Sequence, residues 1–440
     1  MKAYLVKIWS SINASYWFFP ALFSILAVAL AFTTIWLDRN GFAEFLNRMQ
    51  FVTMARPNGA ANMLTVIAGS MIGVASTVFS ITIAAVAYAS GNYGPRLLTN
   101  FMEDRGNQVS LAVFIGTFVY SVTVLRTVRA ADEATTNPAP DETILPGFVP
   151  QLSLLTAFIL TMISVAVLVY FLNHIPSSIR INTVLEGIGR RLMNEIERIY
   201  PKAQTHTTEM KTPIGLVVPA REPGYIQVID YEGLDSLAKR EKGTLKLAVR
   251  AGDFVQDGRP LAYWAGDDRE DRMGEEVRNY FALGGMRTPA QDLHFLIDEL
   301  AEIGMRALSP GINDPFTAIT AMHWLGAATH DIAKRDLLRR FGDAEDADED
   351  RLILLDDDFE HYLARGFGAM RSAVAASRTA TLVEFDTLAT MMIDIEDESR
   401  LQAIVKEADL LFAQTREKLS GPEADEVEAR YVGFKKRLEG

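Results

Sequence analysis

Nearly all the membrane-grade hydrophobicity of this chain lies in its first 175 residues, and no other feature limits the fold so tightly. It falls into four long apolar runs. An α-helix needs about 20 predominantly apolar residues to cross the hydrocarbon of a bilayer. The remainder of the 440 residues reads as soluble and acidic. The expected class is therefore a mainly α membrane protein: four transmembrane helices, then one large extramembrane part.

The runs are Tyr16 to Leu37, Asn62 to Tyr88, Val109 to Val128 and Val149 to Ile175. The first is bracketed by Tyr16, Trp17, Phe18 and Phe19 at its start and Trp36 at its end, the aromatic belts expected of a spanning helix. It is of full span length and no small-residue cleavage pattern follows it, so Met1-Lys2-Ala3-Tyr4 is not expected to open a cleavable signal. The second run differs in kind. Gly69, Ser70, Gly73, Ser76, Thr77 and Ser80 give it a small, hydroxylated face. Such a face suits close helix packing in lipid, and equally a face on a water-filled path. Arg126 can snorkel from the end of the third run, and the fourth ends in Asn173-His174-Ile175-Pro176.

Basic residues set the expected orientation. Lys2 and Lys7, then Arg96 and Arg105, then Arg180, Arg190 and Arg191 flank alternate ends of the runs. The opposite loop carries Asp132, Glu133, Asp141 and Glu142, while Arg39, Arg48 and Arg56 in the first outer loop weigh slightly against the pattern. The positive-inside rule then places both termini and the large domain in the cytoplasm.

A net charge of −13 argues against nucleic acid as the main partner, since phosphate binding needs a basic face. With no cysteine, disulfides, iron–sulfur clusters and thiolate chemistry are excluded. Residues 181 to 199 form an amphipathic stalk helix: Leu185, Ile188, Leu192, Ile196 and Ile199 repeat at helical spacing. Its Gly187-Ile188-Gly189 lacks the third glycine and the preceding strand of a nucleotide fingerprint. From 212 to 266 the period changes to short strands. Here Gly252-Asp253-Phe254-Val255 with Gly258, Pro260 and Leu261 resembles the lipoyl/biotinyl-type barrel-sandwich fold. None of Lys239, Lys242 and Lys246 sits in the tight hairpin of a modified carrier lysine, so a structural module is expected. Helical patterning resumes near 270. Thr288-Pro289 is expected to start a helix running to about Ala307, and Asp314-Pro315 to start the next. The run 345–350 is acidic and expected to be a solvated loop. The domain plan is thus 1–176 membrane, 177–211 stalk and linker, 212–266 β module and 267–440 helical bundle.

Asn92-Tyr93-Gly94-Pro95-Arg96 after the second run, the Gly252-to-Val255 segment, and Arg306-Ala307-Leu308-Ser309-Pro310-Gly311-Ile312-Asn313-Asp314-Pro315-Phe316-Thr317-Ala318 line up together. Over nearly the whole chain they resemble a bacterial membrane protein family catalogued as a predicted membrane protein with a domain of unknown function (number 2254). The resemblance implies four spans and a bacterial inner-membrane location. It carries no catalytic residues.

No nucleophile elbow, Walker A loop or H-E-x-x-H helix is present. His294, Asp298 and Glu302 share a helix face, as do His323 and His330; each set reads more readily as an ordinary polar stripe than as a metal or proton-relay site. Arg306, Asn313 and Asp314 are the best remaining polar cluster, read as a rigid corner in which Asp314 caps, or as an anion site. No cofactor, metal or enzymatic activity is expected. The expected function is a homo-oligomeric channel-like or transport-related assembly with a regulatory cytoplasmic domain, its second span (Ser70, Gly73, Ser76, Thr77, Ser80) facing a path shared between subunits, or serving as a helix-packing face. The alternative is a membrane-anchored scaffold or sensor that binds another protein.

Overall fold

The structure, a computed structural model, describes residues 15–41, 56–94, 104–130, 147–200, 215–266, 270–338 and 351–437. Lys2, Lys7, Arg48, Arg96, the loop acids Asp132, Glu133, Asp141 and Glu142, Pro201 and the acidic run 345–350 lie outside the described residues. The chain divides into two compact units, one spanning Ile12–Gly91 and Pro95–Arg180, the other Ile181–Gly440 with Asn92–Gly94.

Among the described residues the first unit holds four helices long and apolar enough to cross a membrane: α1 (Phe18–Arg39), α2 (Pro57–Tyr93), α3 (Arg105–Leu125) and α4 (Gln151–Ser178). Their ends differ from the apolar runs because side chains, not hydropathy, cap helices. Asp104 caps α3, its Oδ1 accepting the Gly106 N–H at 2.8 Å. α4 begins where Asp38, from the end of α1, accepts the Leu152 and Ser153 N–H groups at 2.8 and 3.0 Å. α2 outruns its apolar run at both ends.

Between helices in lipid, packing and hydrogen bonds replace the hydrophobic drive that operates in water. α3 packs against both α1 and α4. The buried Tyr120 hydroxyl sits 2.9 Å from Thr34 Oγ1 of α1 and donates to the Ser153 carbonyl of α4 at 3.2 Å. Thr117 and Ser164 pair at 3.0 Å between α3 and α4. Contacts of this kind average about 0.6 kcal/mol each. α2 contributes Ala60, Leu64, Ile67, Met71, Ala75 and Val78 to the same core.

In the second unit, α5 (Ile181–Ile199) is packed into the helical bundle through Leu185, Ile188, Leu192 and Ile196, all fully buried. Strands β1 (Leu216–Pro219), β2 (Gly224–Ile229), β3 (Thr244–Leu247), β4 (Phe254–Val255), β5 (Pro260–Ala265), β6 (Phe281–Gly284) and β7 (Leu352–Ile353) form two sheets. Their orders are β1-β5-β3-β7 and β4-β2-β6. Among the described residues the sheets share no ladder, so the barrel-sandwich likeness does not extend to a closed barrel. β6 and β7 come from beyond residue 266, and β7 runs parallel to β3. Helices α6 (Tyr231–Arg240) and α7 (Glu270–Arg278) accompany the sheets. The core of this module gathers Ile226, Leu237, Leu245, Val255, Leu261 and Trp264.

The bundle itself comprises α8 (Leu293–Ala307), α9 (Pro315–Ile332), α10 (Phe359–Leu363), α11 (Ala369–Val374), α12 (Arg378–Met391), α13 (Glu398–Lys418) and α14 (Pro422–Lys436). A π-helical turn, Ala364–Gly368, joins α10 to α11. Phe367 and Phe385 are fully buried; each such side chain contributes about 1.5–3 kcal/mol. α8 starts later than the Thr288-Pro289 pair suggests. Gln291 is held at φ +59°, its side chain bonding both the N–H and the carbonyl of Ile229, and Asp292 caps the helix instead.

Candidate functional site

The capping of two helices assembles a dense polar cluster in the second unit. Asp292 accepts the Phe295 N–H at 3.0 Å and places His294 in the first turn of α8. Asp358 caps α10 in the same way, accepting the His361 N–H at 2.7 Å. Asp357 and His361 therefore stand four residues apart across that cap, and their side chains converge. His294 Nε2 lies 3.1 Å from Asp357 Oδ2 and 3.1 Å from His361 Nε2; His361 Nε2 is 3.7 Å from Asp357 Oδ1. The His294 and Asp357 side chains are each 7% exposed, whereas His361 is 38% exposed and opens the cluster to solvent. The His294 ring stacks on Tyr362, with centroids 5.4 Å apart, and meets the His361 ring edge-on at 5.0 Å. Tyr362 is held in turn by Tyr200, hydroxyl to hydroxyl at 2.7 Å.

Arginines from three segments surround these groups. Arg250 contacts Asp357 Oδ2. Arg287 clamps Asp292 Oδ2 at 2.7 Å and Asp298 Oδ2 at 2.7 Å. Arg365, in the π turn, grips Asp298 with both prongs at 2.7 and 2.8 Å. π turns recur at functional positions because they re-aim one side chain without ending the helix. Gly252 allows the approach of the β module's turn: its φ is +93°, and a Cβ there would lie 2.0 Å from Asp292 Oδ2.

Burial, then the positive charge of Arg365 and Arg250, pull the His294 pKa down to about 2, so its imidazole is neutral. His361 is lowered too, by burial first and the same two arginines next. Burial raises Asp292 in spite of Arg287. For Asp298 burial pushes upward, but the hydrogen bonds and charges of Arg365 and Arg287 prevail and hold it low. The cluster thus brings two imidazole nitrogens and a carboxyl oxygen to within 4.8 Å of one another.

The residues marked from sequence lie elsewhere or serve other partners. Within α8's shared face, His294 meets Asp357, Asp298 is bound by Arg287 and Arg365, and Glu302 accepts from Arg306 at 3.3 Å. Asp314 caps α9, its Oδ1 and Oδ2 accepting from the Thr317 N–H and hydroxyl at 3.2 and 2.6 Å. Asn313 precedes it at φ +49°, in the left-handed region. Arg306, Asn313 and Asp314 thus belong to one helix–turn–helix corner. His323 and His330 line a cavity of about 530 Å³ together with Thr387 and Met391, and His330 Nδ1 is 2.8 Å from the Met391 carbonyl oxygen. In α2, Gly69, Ser70, Gly73, Ser76, Thr77 and Ser80 are all exposed on the single chain. The Ser76, Thr77 and Ser80 hydroxyls donate to carbonyls four residues back at 2.9, 3.0 and 2.9 Å.

Four apolar span-length helices followed by a mixed sheet-and-helix unit define a polytopic membrane protein with a large polar domain. The chain belongs to the family described as "Predicted membrane protein (DUF2254)", which matches residues 13–390. Uncharacterized proteins of Mycobacterium bovis and Mycobacterium tuberculosis are each 32% identical to it over 291 residues, 64% of this chain and 54% of theirs. The chain thus matches about half the length of these curated relatives. No solved structure matches it.

Proposed function

We propose that the protein is a homo-oligomeric, channel-like or transport-related assembly of the bacterial inner membrane, with both termini and a regulatory domain in the cytoplasm. The carrying observation is the two-faced character of α2. Ala60, Leu64, Ile67, Met71, Ala75 and Val78 are buried at helical spacing in the bundle core. Gly69, Gly73, Ser76 and Ser80 fall about 180° round the helix from that stripe and are exposed. Among the described residues nothing lies within 4 Å of a Cβ built on Gly69 or Gly73, so the face is open for the backbone of another copy. The orientation is supported by Arg105 and Arg180, which flank the bundle end where His174 Nε2 meets Asp104 at 2.7 Å. The natural absence of cysteine makes the test direct. Reconstituted liposomes under voltage clamp should conduct, and a membrane-impermeant thiol reagent should reduce the current in Ser76→Cys. Absence of any conductance or flux across varied ions, pH and tension sinks the proposal.

A membrane-anchored scaffold or sensor that binds another protein is the second reading. It is favoured by the hydroxyls of Ser76, Thr77 and Ser80, which are already satisfied by their own helix and need no water. A pull-down from native membranes that recovers only the protein itself counts against it.

A further inference from the structure

We propose that His294, Asp357 and His361 form a binding site for a divalent first-row transition cation of the Zn²⁺ class, with one coordination position left open. Nitrogen from two imidazoles and oxygen from one carboxylate is a donor set that suits such ions, and the magnesium and calcium preference for all-oxygen cages argues against those. The spacing agrees. Metal–ligand bonds of about 2.0–2.2 Å in tetrahedral array place ligand atoms about 3.3–3.6 Å apart. The two Nε2 atoms are 3.1 Å apart, Asp357 Oδ2 lies 3.1 Å from His294 Nε2 and Asp357 Oδ1 3.7 Å from His361 Nε2, and one ligand atom from each residue lies within 4.8 Å of the other two.

The surroundings hold this geometry and leave a way in. His294 is fixed by its stack on Tyr362 and by the cap that starts α8. His361 and Asp357 are fixed by the Asp358 cap. Three protein ligands leave a fourth tetrahedral position open, and His361, 38% exposed, gives access from solvent. Asp357 also lines a cavity of about 620 Å³ whose walls include Asp336, Asp356, Asp358, Glu360 and Asp397, against Arg400 as the cationic side chain there. A cleft of one sign concentrates the opposite ion. Arg250 opposes binding, because its guanidinium contacts Asp357 Oδ2 and repels a cation. The site is therefore built to bind with tempered affinity, and a bound cation would tie α8 to the segment that opens α10.

Chelator-stripped full-length protein in detergent should bind one Zn²⁺ per chain by calorimetry. Co²⁺ in its place should show the visible bands of a low-symmetry, near-tetrahedral ion. Zn²⁺ should raise the unfolding temperature, since a ligand that binds only the folded state stabilises it. His361→Ala, at a partly exposed position, should lower affinity by about 100-fold and abolish the Co²⁺ bands, and Asp357→Asn should do likewise. Arg250→Gln should bind Zn²⁺ more tightly, by about tenfold, which a cation held by surface carboxylates would not show. Absence of stoichiometric binding, or binding by His361→Ala equal to that of the unaltered protein, overturns the proposal.

Discussion

Glu384 is fully buried and neither of its carboxyl oxygens has a hydrogen-bond partner among the described residues. Its neighbour Glu407 takes the nearby arginine: Arg371 Nε and Nη2 donate to the two Glu407 oxygens at 2.6 and 2.5 Å. Burial, then the Glu407 charge, push the Glu384 pKa well above its ordinary 4.5, against the lowering effect of Arg371. In the unfolded chain the same carboxyl ionises near 4.5. Its stabilising contribution is therefore complete below that pH and is lost as pH rises toward the folded value, at up to about 1.4 kcal/mol per pH unit. Glu384→Gln, neutral and isosteric, should remove this slope. Its unfolding temperature should exceed that of the unaltered protein by a margin that grows from pH 5 to pH 8; a constant margin would show Glu384 to be ionised in the fold. Gly252→Ala tests the opposite case, a residue whose loss strains the fold. A Cβ at φ +93°, 2.0 Å from Asp292 Oδ2, must twist the turn and displace Asp292 from Arg287. Denaturant unfolding should register about 3 kcal/mol of lost stability.

At the scale of elements, what was legible was what is local. Asp314-Pro315 starts α9 as its sequence says, because a cap and a first-turn proline act within one turn. Thr288-Pro289 carries a similar signal and fails, because Gln291 is bound 62 residues away at Ile229. The four spans were legible from length and apolarity, yet their ends were not, since Asp38 caps α4 from 114 residues upstream. Asp38→Ala leaves two N–H groups and the Ser153 hydroxyl without their acceptor and should cost about 1–2 kcal/mol in detergent thermal unfolding. Asn40→Ala, which removes only an exposed bond to the Trp36 carbonyl, should change little. Equal effects from the two would remove Asp38 from its capping role. The sheets show the same division: individual strands were legible between 212 and 266, whereas β6 and β7 complete them from 281–284 and 352–353.

For the whole molecule, sequence periodicity could find the helix face that carries His294 but not the groups it meets. His361 is 67 residues further on, and Asp357 and Arg250 reach the same point from other segments. Asp357 and His361 left one weak trace, a D-x-x-x-H spacing at a helix start, which is common in capped helices without any site. The small face of α2 was legible because it depends on one helix alone, but what lies against it is a property of the proposed assembly. That difference can be measured. Gly73 has open space around its Cα in the single chain, so Gly73→Leu should cost the protomer no more than helix-surface substitutions usually do, within about 0.5 kcal/mol. Between copies packed backbone to backbone the same leucine has nowhere to go. The proposed assembly therefore predicts that Gly73→Leu keeps its unfolding temperature as a protomer yet shifts to smaller species by native mass spectrometry in detergent. Val169→Leu, at an exposed position of α4 outside the proposed face, should leave the distribution as it was. An unchanged distribution in Gly73→Leu would remove α2 from the interface and with it the path proposed along that face.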